Sequence, residues 1–230
     1  MSRFIYDTHV HTSEVSPCAH SPAEAVVTFY KEIGYSGIII TDHFACRDNT
    51  PADSSAWEAA VYKLCKGYNK AFELGKKIGL QVFFAWEYTR VPHIGTDFLT
   101  YGLDADWLLS HSEISSMSIN EYSDFIRSEG GFLTHAHPFR DLGWTEMIRL
   151  LPKKVDAVEV YNANRTDFEN DRALEYANNY SLLKTSGTDN HLGPEQKDLG
   201  GMVFDTPLND ISDFISAVRD GRAQVHRETL

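Results

Sequence analysis

The sequence predicts an α/β protein built on a largely parallel sheet. Short apolar runs alternate with amphipathic stretches along the whole chain, the order of repeated strand–helix units. Residues of the metal-ligating types cluster at the ends of successive predicted strands rather than scattering over helices. No Pro/Gly/Ser-rich linker, low-complexity tract or internal repeat divides the 230 residues, so residues 1–230 are expected to form a single domain. A closed barrel competes with an open doubly wound sheet. Neither GxGxxG nor GxxxxGKS/T follows any strand, which removes the usual evidence for a nucleotide-binding open sheet.

Taken in order, Phe4–Asp7 reads as a buried first strand. In "SPAEAVVTFYKEIG" a helix is expected with Ser21 as N-cap, Pro22 at the first helical position, Glu24 at N3 and Gly34 as its stop. Gly37–Thr41, with three consecutive isoleucines, is the second strand. Ser54–Ile78 carries a longer helical pattern in which Gly67 and Gly75 are weak points. Gln81–Trp86 and Phe98–Tyr101 are strands, Ile119–Ser128 a helix, and Gly131–Thr134 and Val155–Tyr161 strands. The pattern closes with a helix at Phe168–Tyr180, strands at Leu182–Ser186 and Met202–Phe204, a helix at Asp210–Asp220 and a strand at Ala223–His226.

Composition limits the function classes. Three cysteines without a CxxC pair fit a reducing cytoplasm better than a disulfide framework. "MSRFIYD" has no apolar core of a signal peptide, and no apolar run reaches 18 residues, so no membrane association is expected. The net charge of −12 argues against non-specific contact with nucleic acid or an anionic membrane. It leaves a small anionic substrate open, because bound divalent cations are absent from a sequence charge count.

The histidines carry the functional signal. His9 and His11 lie two apart on an extended chain, so both rings face one side. His43 follows the second strand and Glu87 the third. His135 and His137 end the fifth strand, Asp189 and His191 the seventh, and His20 lies in the loop after the first. In a parallel barrel the strand C-termini meet at one face, so these residues would converge there. Neutral imidazole and carboxylate suit Zn, Mn or Fe(II), and without cysteine at the strand ends this is no Cys-rich structural zinc site. A serine nucleophile lacks its GxSxG turn. Cys46, three residues beyond His43, reads as an inert lone cysteine.

In this order "DTHVHT", "ITDH", "WEYT", "HAHP" and "SGTDNH" resemble the polymerase and histidinol phosphatase (PHP) family, from residue 7 to about residue 203. "VDAVEVYNANR" and "DLGG" are similar to further stretches of such proteins. The resemblance implies a distorted seven-stranded (β/α)7 TIM-like barrel with two or three divalent metal ions at the strand C-terminal face. It implies that His9, His11, Glu87 and Asp189 hold a first ion and that His20, His43 and His191 hold a second. Glu87 would bridge to a third ion completed by His137 and a residue of the fourth strand. There the family commonly has His, whereas "TDFLTYGLD" places Asp97, with His93 as an alternative. His135 would reach the cluster or hydrogen-bond a ligand, while Asp7, Asp42 and Glu159 are candidates to orient ligands. Phe44, Trp86, Tyr88, Phe139 and Trp144 are expected either to wall the pocket or to join the core.

The activity so implied is hydrolysis of a small phosphate monoester, histidinol phosphate-like, nucleotide or related, by attack of a metal-bound hydroxide on phosphorus. Arg140, which resembles the family's arginine after the HP motif, and Arg165 are expected to neutralise the phosphoryl oxygens, with Arg90 a third candidate. His191 or His43 is a candidate acid for the leaving group. An amidohydrolase also opens with HxH and ends with Asp, but it usually bridges its metals with a modified Lys where this chain has Glu87. A nuclease using the same site is the other alternative, disfavoured by the acidic charge. No protein partner is implied.

Overall fold

Two sheets organise the computed structural model, which describes residues 3–46, 54–91, 93–143, 145 and 147–230. Trp144 lies outside the described residues. In chain order the elements are β1 (Phe4–Val10), α1 (Ala23–Glu32), β2 (Gly37–Ile40), β3 (His43–Cys46), α2 (Ser54–Ile78), β4 (Gln81–Phe84), β5 (Trp86–Arg90) and β6 (Asp97–Tyr101). They continue with α3 (Ala105–Ser110), α4 (Ile119–Ser128), β7 (Phe132–Ala136), β8 (Ala157–Asn162), α5 (Asp167–Asn179), β9 (Leu183–Gly187), β10 (Asp198–Phe204), α6 (Ile211–Arg219) and β11 (Gln224–Thr229).

One sheet has the order β11-β10-β1-β2-β4 and the other β3-β5-β6-β7-β8-β9. They share backbone. Only Thr41 and Asp42 separate β2 from β3, and only Ala85 separates β4 from β5. Ala85 N donates to Ile40 O (2.9 Å) and Glu87 N to Asp42 O (3.1 Å), so pairing runs on across both breaks. At the other side Val10 bridges Asn190 in parallel, and Asp189 N donates to His9 O (2.9 Å). The C-terminal end of β1 therefore meets the residues that follow β9.

The expected α/β class is found, and the pairing differs from a single parallel ladder in two respects. Two sheets are found, and β6 runs antiparallel to both β5 and β7. The cause is local: residues 91–96 are too short for the crossover a parallel neighbour needs, so the chain turns straight back. β10 is likewise antiparallel to β1 and β11.

Helix ends follow local chemistry. Ser118 and Glu121 form a capping box on α4, as do Thr166 and Glu169 on α5. Ser21 is not the cap of α1. Pro22 holds that position, and Ser21 Oγ donates to Leu192 O (3.2 Å), tying the loop before α1 to the segment after β9. Gly67 does not interrupt α2. A Cβ there would stand 1.9 Å from Thr12 Oγ1 and 2.5 Å from Asp42 Oδ2, so glycine lets the helix close onto the ends of β1 and β2. Phe44, Trp86 and Tyr88 belong to the buried core around α2 and α4 rather than to a pocket wall, and Phe139 packs edge-on against Tyr176. Among the described residues no helix is long and apolar enough to cross a membrane.

Candidate metal centre

Four imidazoles meet at the shared end of the two sheets, three with a hydrogen bond at Nδ1 and His43 with a close ion-pair contact there that lacks hydrogen-bond geometry. His9 Nδ1 lies 2.9 Å from Glu159 Oε1. His11 Nδ1 lies 3.2 Å from Ser16 Oγ, whose own proton goes to Asp42 Oδ1 (2.7 Å), so the imidazole must be the donor. His43 Nδ1 is 2.7 Å from Glu87 Oε2, and His191 Nδ1 donates to Asp189 O (2.8 Å). Fixing Nδ1 to an acceptor leaves Nε2 as the lone-pair nitrogen, the arrangement of a ligating histidine. Glu159 thus contacts His9 directly, and Asp42 reaches His11 through Ser16. Asp7 instead holds backbone, accepting from His9 N (3.1 Å) and Thr188 N (3.0 Å) and from Tyr30 OH (2.6 Å).

The freed atoms face one another across a small space. His9 Nε2 lies 3.3 Å from Asp189 Oδ1 and 3.7 Å from Glu87 Oε2; His11 Nε2 lies 3.2 Å and 3.5 Å from the same oxygens. All four atoms are buried, and none forms a hydrogen bond. Orphaned polar atoms are costly in a protein interior. Ligands about 2.0–2.1 Å from a tetrahedral ion stand roughly 3.4 Å apart, which is the spacing seen. The donor set fits a divalent metal.

Two further groups adjoin this one. His11, His43 and His191 offer donor atoms within 4.8 Å of one another, as do His9, Glu87 and His137. The resemblance had assigned His20 to the second group, but His20 is exposed and joins none of the ligand groups found among the described residues. Its backbone N–H donates to His191 O (2.7 Å). Cys18, two residues earlier, is also exposed and outside those groups, but its Sγ lies 3.2 Å from His43 Nε2. Sequence reasoning missed it because it weighed only the cysteine nearest a strand end. That residue, Cys46, is buried, and burial pushes its thiol up to about 12.

Asp97 and His137 are brought together, with an arginine between them. Asp97 accepts from Arg140 Nη2 and from Thr89 Oγ1 (2.5 Å). His137 Nε2 lies 3.0 Å from Glu87 Oε1 and 3.3 Å from Arg140 Nη1. The guanidinium therefore occupies the neighbourhood where the resemblance implied a third ion. His93 is not part of any of these groups. Nor is His135, whose ring stacks on Phe98 (5.4 Å) and meets Tyr176 edge-on. Arg165 lies 4.0 Å from Glu169 at the pocket rim, whereas Arg90 is buried and donates to Ser115 O (2.7 Å).

Charge in the cluster is held by mutual contact. Burial opposes ionisation, yet the surrounding imidazoles keep Glu87 and Asp189 well below the carboxylate range. Burial also works against His9 and His43, which the carboxylates nonetheless hold well above the usual histidine range. Burial, with His191 and His43, pushes His11 well below it. His191 is raised to about 10 against burial by Asp189 and Cys18, and Cys18 is lowered to about 6 against burial by His191 and His43. Without a cation, imidazolium supplies the positive charge; a metal ion would displace those protons.

Backbone conformation is spent on the same residues. Among the described residues three non-glycine residues have positive φ, and two of them are His137 (28°) and Asp189 (59°); such values persist where the surroundings enforce them. Gly187 ends β9 directly behind His9. A Cβ there would stand 2.5 Å from His9 Cβ and 2.9 Å from Glu159 Oε1. The cluster opens into a pocket of about 650 Å³ whose lining includes Cys18, His43, Arg140, Asn164, Arg165 and His191.

The chain matches no family model and no curated protein. Solved structures do match. A two-domain protein containing a predicted PHP-like metal-dependent phosphoesterase, from Bacteroides vulgatus ATCC 8482, superposes with a TM-score of 0.66 at 14% identity. The match takes in 98% of the present chain but 65% of that longer one. PsfC from Pseudomonas syringae PB-5123 gives 0.63 at 16% identity, over 100% and 93% of the two chains. An amidohydrolase from Chromobacterium violaceum, with bound sulfate and no metal, gives 0.58 at 14% identity over 95% and 97%. The chain shares the fold of these proteins.

Proposed function

We propose that this chain is a metal-dependent phosphoesterase of the PHP family that hydrolyses a small phosphate monoester, histidinol phosphate-like, nucleotide or related. One observation carries the reading: four buried donor atoms, on His9, His11, Glu87 and Asp189, make no hydrogen bond, and each nitrogen stands 3.2–3.7 Å from both oxygens. The fold shared with the Bacteroides phosphoesterase supports it. Counting β2 with β3 and β4 with β5 as single bent strands, and leaving aside the antiparallel β10 and β11, gives seven, with β1 and β9 meeting at the Val10–Asn190 bridge. On that count the architecture is the distorted (β/α)7 barrel of the resemblance. We take residues 1–230 as one domain, and free cysteines as fitting the cytoplasm.

In this mechanism His9, His11, Glu87 and Asp189 hold one ion, and His43 and His191 contribute to a second. Divalent ions bound there supply activation of water near neutral pH and charge to offset the phosphoryl oxygens. The protein's own part is positioning. Arg140, held by Asp97, and Arg165, which lines the same pocket, would present planar donors to the phosphoryl group. His191 serves to hold an ion rather than to move a proton, since its Nε2 faces His43 Nε2 at 3.5 Å. The pocket volume suits a small ester, within the usual range of about 300–1,000 Å³.

The test is phosphate release from a panel of small monoesters and short oligonucleotides. The protein is stripped and reloaded with Mn, Zn or Fe(II), with His9→Ala as control. Release from one monoester class, abolished in the variant, supports the proposal. Release from oligonucleotides alone means a nuclease. Silence with tightly bound metal redirects the search to amide or lactone hydrolysis.

A further inference from the structure

We propose that Cys18 is a metal ligand, supplying a thiolate to the ion held by His43 and His191 in the position the resemblance gives to His20. The inference rests on the metal-dependent reading above and adds a ligand type that reading lacks.

Cys18 Sγ lies 3.2 Å from His43 Nε2, and His191 Nε2 lies 3.5 Å from the same atom. The His191 ring is fixed from behind by Nδ1 donating to Asp189 O (2.8 Å), and His43 Nδ1 is in ion-pair contact with Glu87 Oε2 (2.7 Å). Their Nε2 atoms are therefore turned towards the sulfur. A second observation points to the same place. His43 and His191, with His11, form a group whose donor atoms lie within 4.8 Å of one another, so the sulfur adjoins side chains already able to hold an ion. Ligands of a tetrahedral ion stand roughly 3.3–3.6 Å apart; the Nε2–Nε2 separation lies in that range, and the sulfur is a few tenths of an ångström closer to His43 Nε2.

The loop is built to hold the cysteine there. Ala19 N donates to Ser16 O (3.0 Å) and His20 N to His191 O (2.7 Å), which clamps the chain on both sides of Cys18 over the cluster. His20 contributes that backbone bond while its side chain is exposed. Binding converts the thiol to thiolate, with one proton released to solvent and one sulfur–metal bond formed. A soft sulfur donor shifts the site's preference towards Zn or Fe(II) and away from Mn.

Cobalt(II) substitution reads this directly, because a thiolate ligand gives a sulfur-to-cobalt charge-transfer band in the near ultraviolet, separate from the visible d–d bands. The expected result is a charge-transfer band in the wild type and in His20→Ala, lost in Cys18→Ser while d–d absorption remains. Cobalt bound with d–d bands but no charge-transfer band overturns the cysteine ligand and leaves the metal site standing. A band that survives Cys18→Ser overturns it equally. Failure of the protein to bind cobalt at all overturns both the ligand and the metal reading beneath it.

Discussion

Arg140 donates through Nη2 to the carboxylate of Asp97, while its Nη1 lies 3.3 Å from His137 Nε2. A guanidinium and a divalent cation compete for the same carboxylates. With the arginine in place, the space between Asp97, Glu87 and His137 is already neutralised, so two ions per chain are expected. Arg140→Met removes the competing charge and opens room for a third ion. Metal analysis after exhaustive dialysis should rise from two equivalents towards three. Phosphate release should fall by about 10²–10³-fold, the cost of losing one donor to developing phosphoryl charge. Unchanged metal content would mean that the arginine does not guard the third position.

Glu159 anchors His9 at Nδ1 (2.9 Å) and through its other oxygen accepts from His137 N (3.0 Å) and Asn162 Nδ2 (2.9 Å). Replacing an acceptor behind a ligating histidine typically weakens metal binding by about 10–100-fold. Glu159→Gln should show a loss of that size in chelator competition, with the circular dichroism of the native chain. An affinity equal to wild type would show that Glu159 orients nothing the metal needs.

How far the sequence foretold these contacts depended on whether the information was local. The apolar period marked Ser54–Ile78 and Ile119–Ser128 at their observed ends, because long amphipathic helices and a capping box are written into neighbouring residues. Two-residue alternation correctly brought the rings of His9, in β1, and His11, just beyond it, to one side, with centroids 5.0 Å apart. The same rule failed at β7. His137 takes φ 28° beyond the end of the strand, so His135 turns to Phe98 while His137 turns to Glu87. The reversal of β6 was legible in the short stretch between Glu87 and Asp97 and was overridden by the repeating pattern around it. Cys18 was illegible, because the bond from His20 N to His191 O joins distant parts of the chain. The Asp97–Arg140 pair was hidden for the same reason.

Gly187 offers a steric test. An alanine Cβ would meet His9 Cβ at 2.5 Å and Glu159 Oε1 at 2.9 Å, so either β9 or the anchored imidazole must shift. Gly187→Ala should lose about 1–3 kcal/mol of stability in urea denaturation, as overpacked interiors do, and should bind metal more weakly. Gly143, whose added Cβ would meet nothing within 4 Å, is the control. Its alanine variant should stay within about 0.5 kcal/mol of wild type.

His135 gives a pH dependence of known sign. Burial, reinforced by His137, pushes its imidazole down to about 3 from an ordinary 6.5. Between those values the unfolded chain binds a proton that the folded chain refuses, so its contribution is intact above pH 6.5 and is lost as pH falls towards 3. From pH 7 to pH 5 the loss amounts to about 2 kcal/mol. Asp7 and Asp42 act in the opposite direction. Burial raises each to about 6, so the folded chain takes up protons first as pH falls and is favoured by acid. Comparing variants separates the terms. His135→Phe keeps the ring on Phe98 and abolishes the imidazole. In metal-free protein its stability should therefore fall about 2 kcal/mol less than wild type between pH 7 and pH 5, measured by urea denaturation at both values. Parallel losses in the two proteins would show that His135 is protonated in the fold and that its burial carries no such penalty.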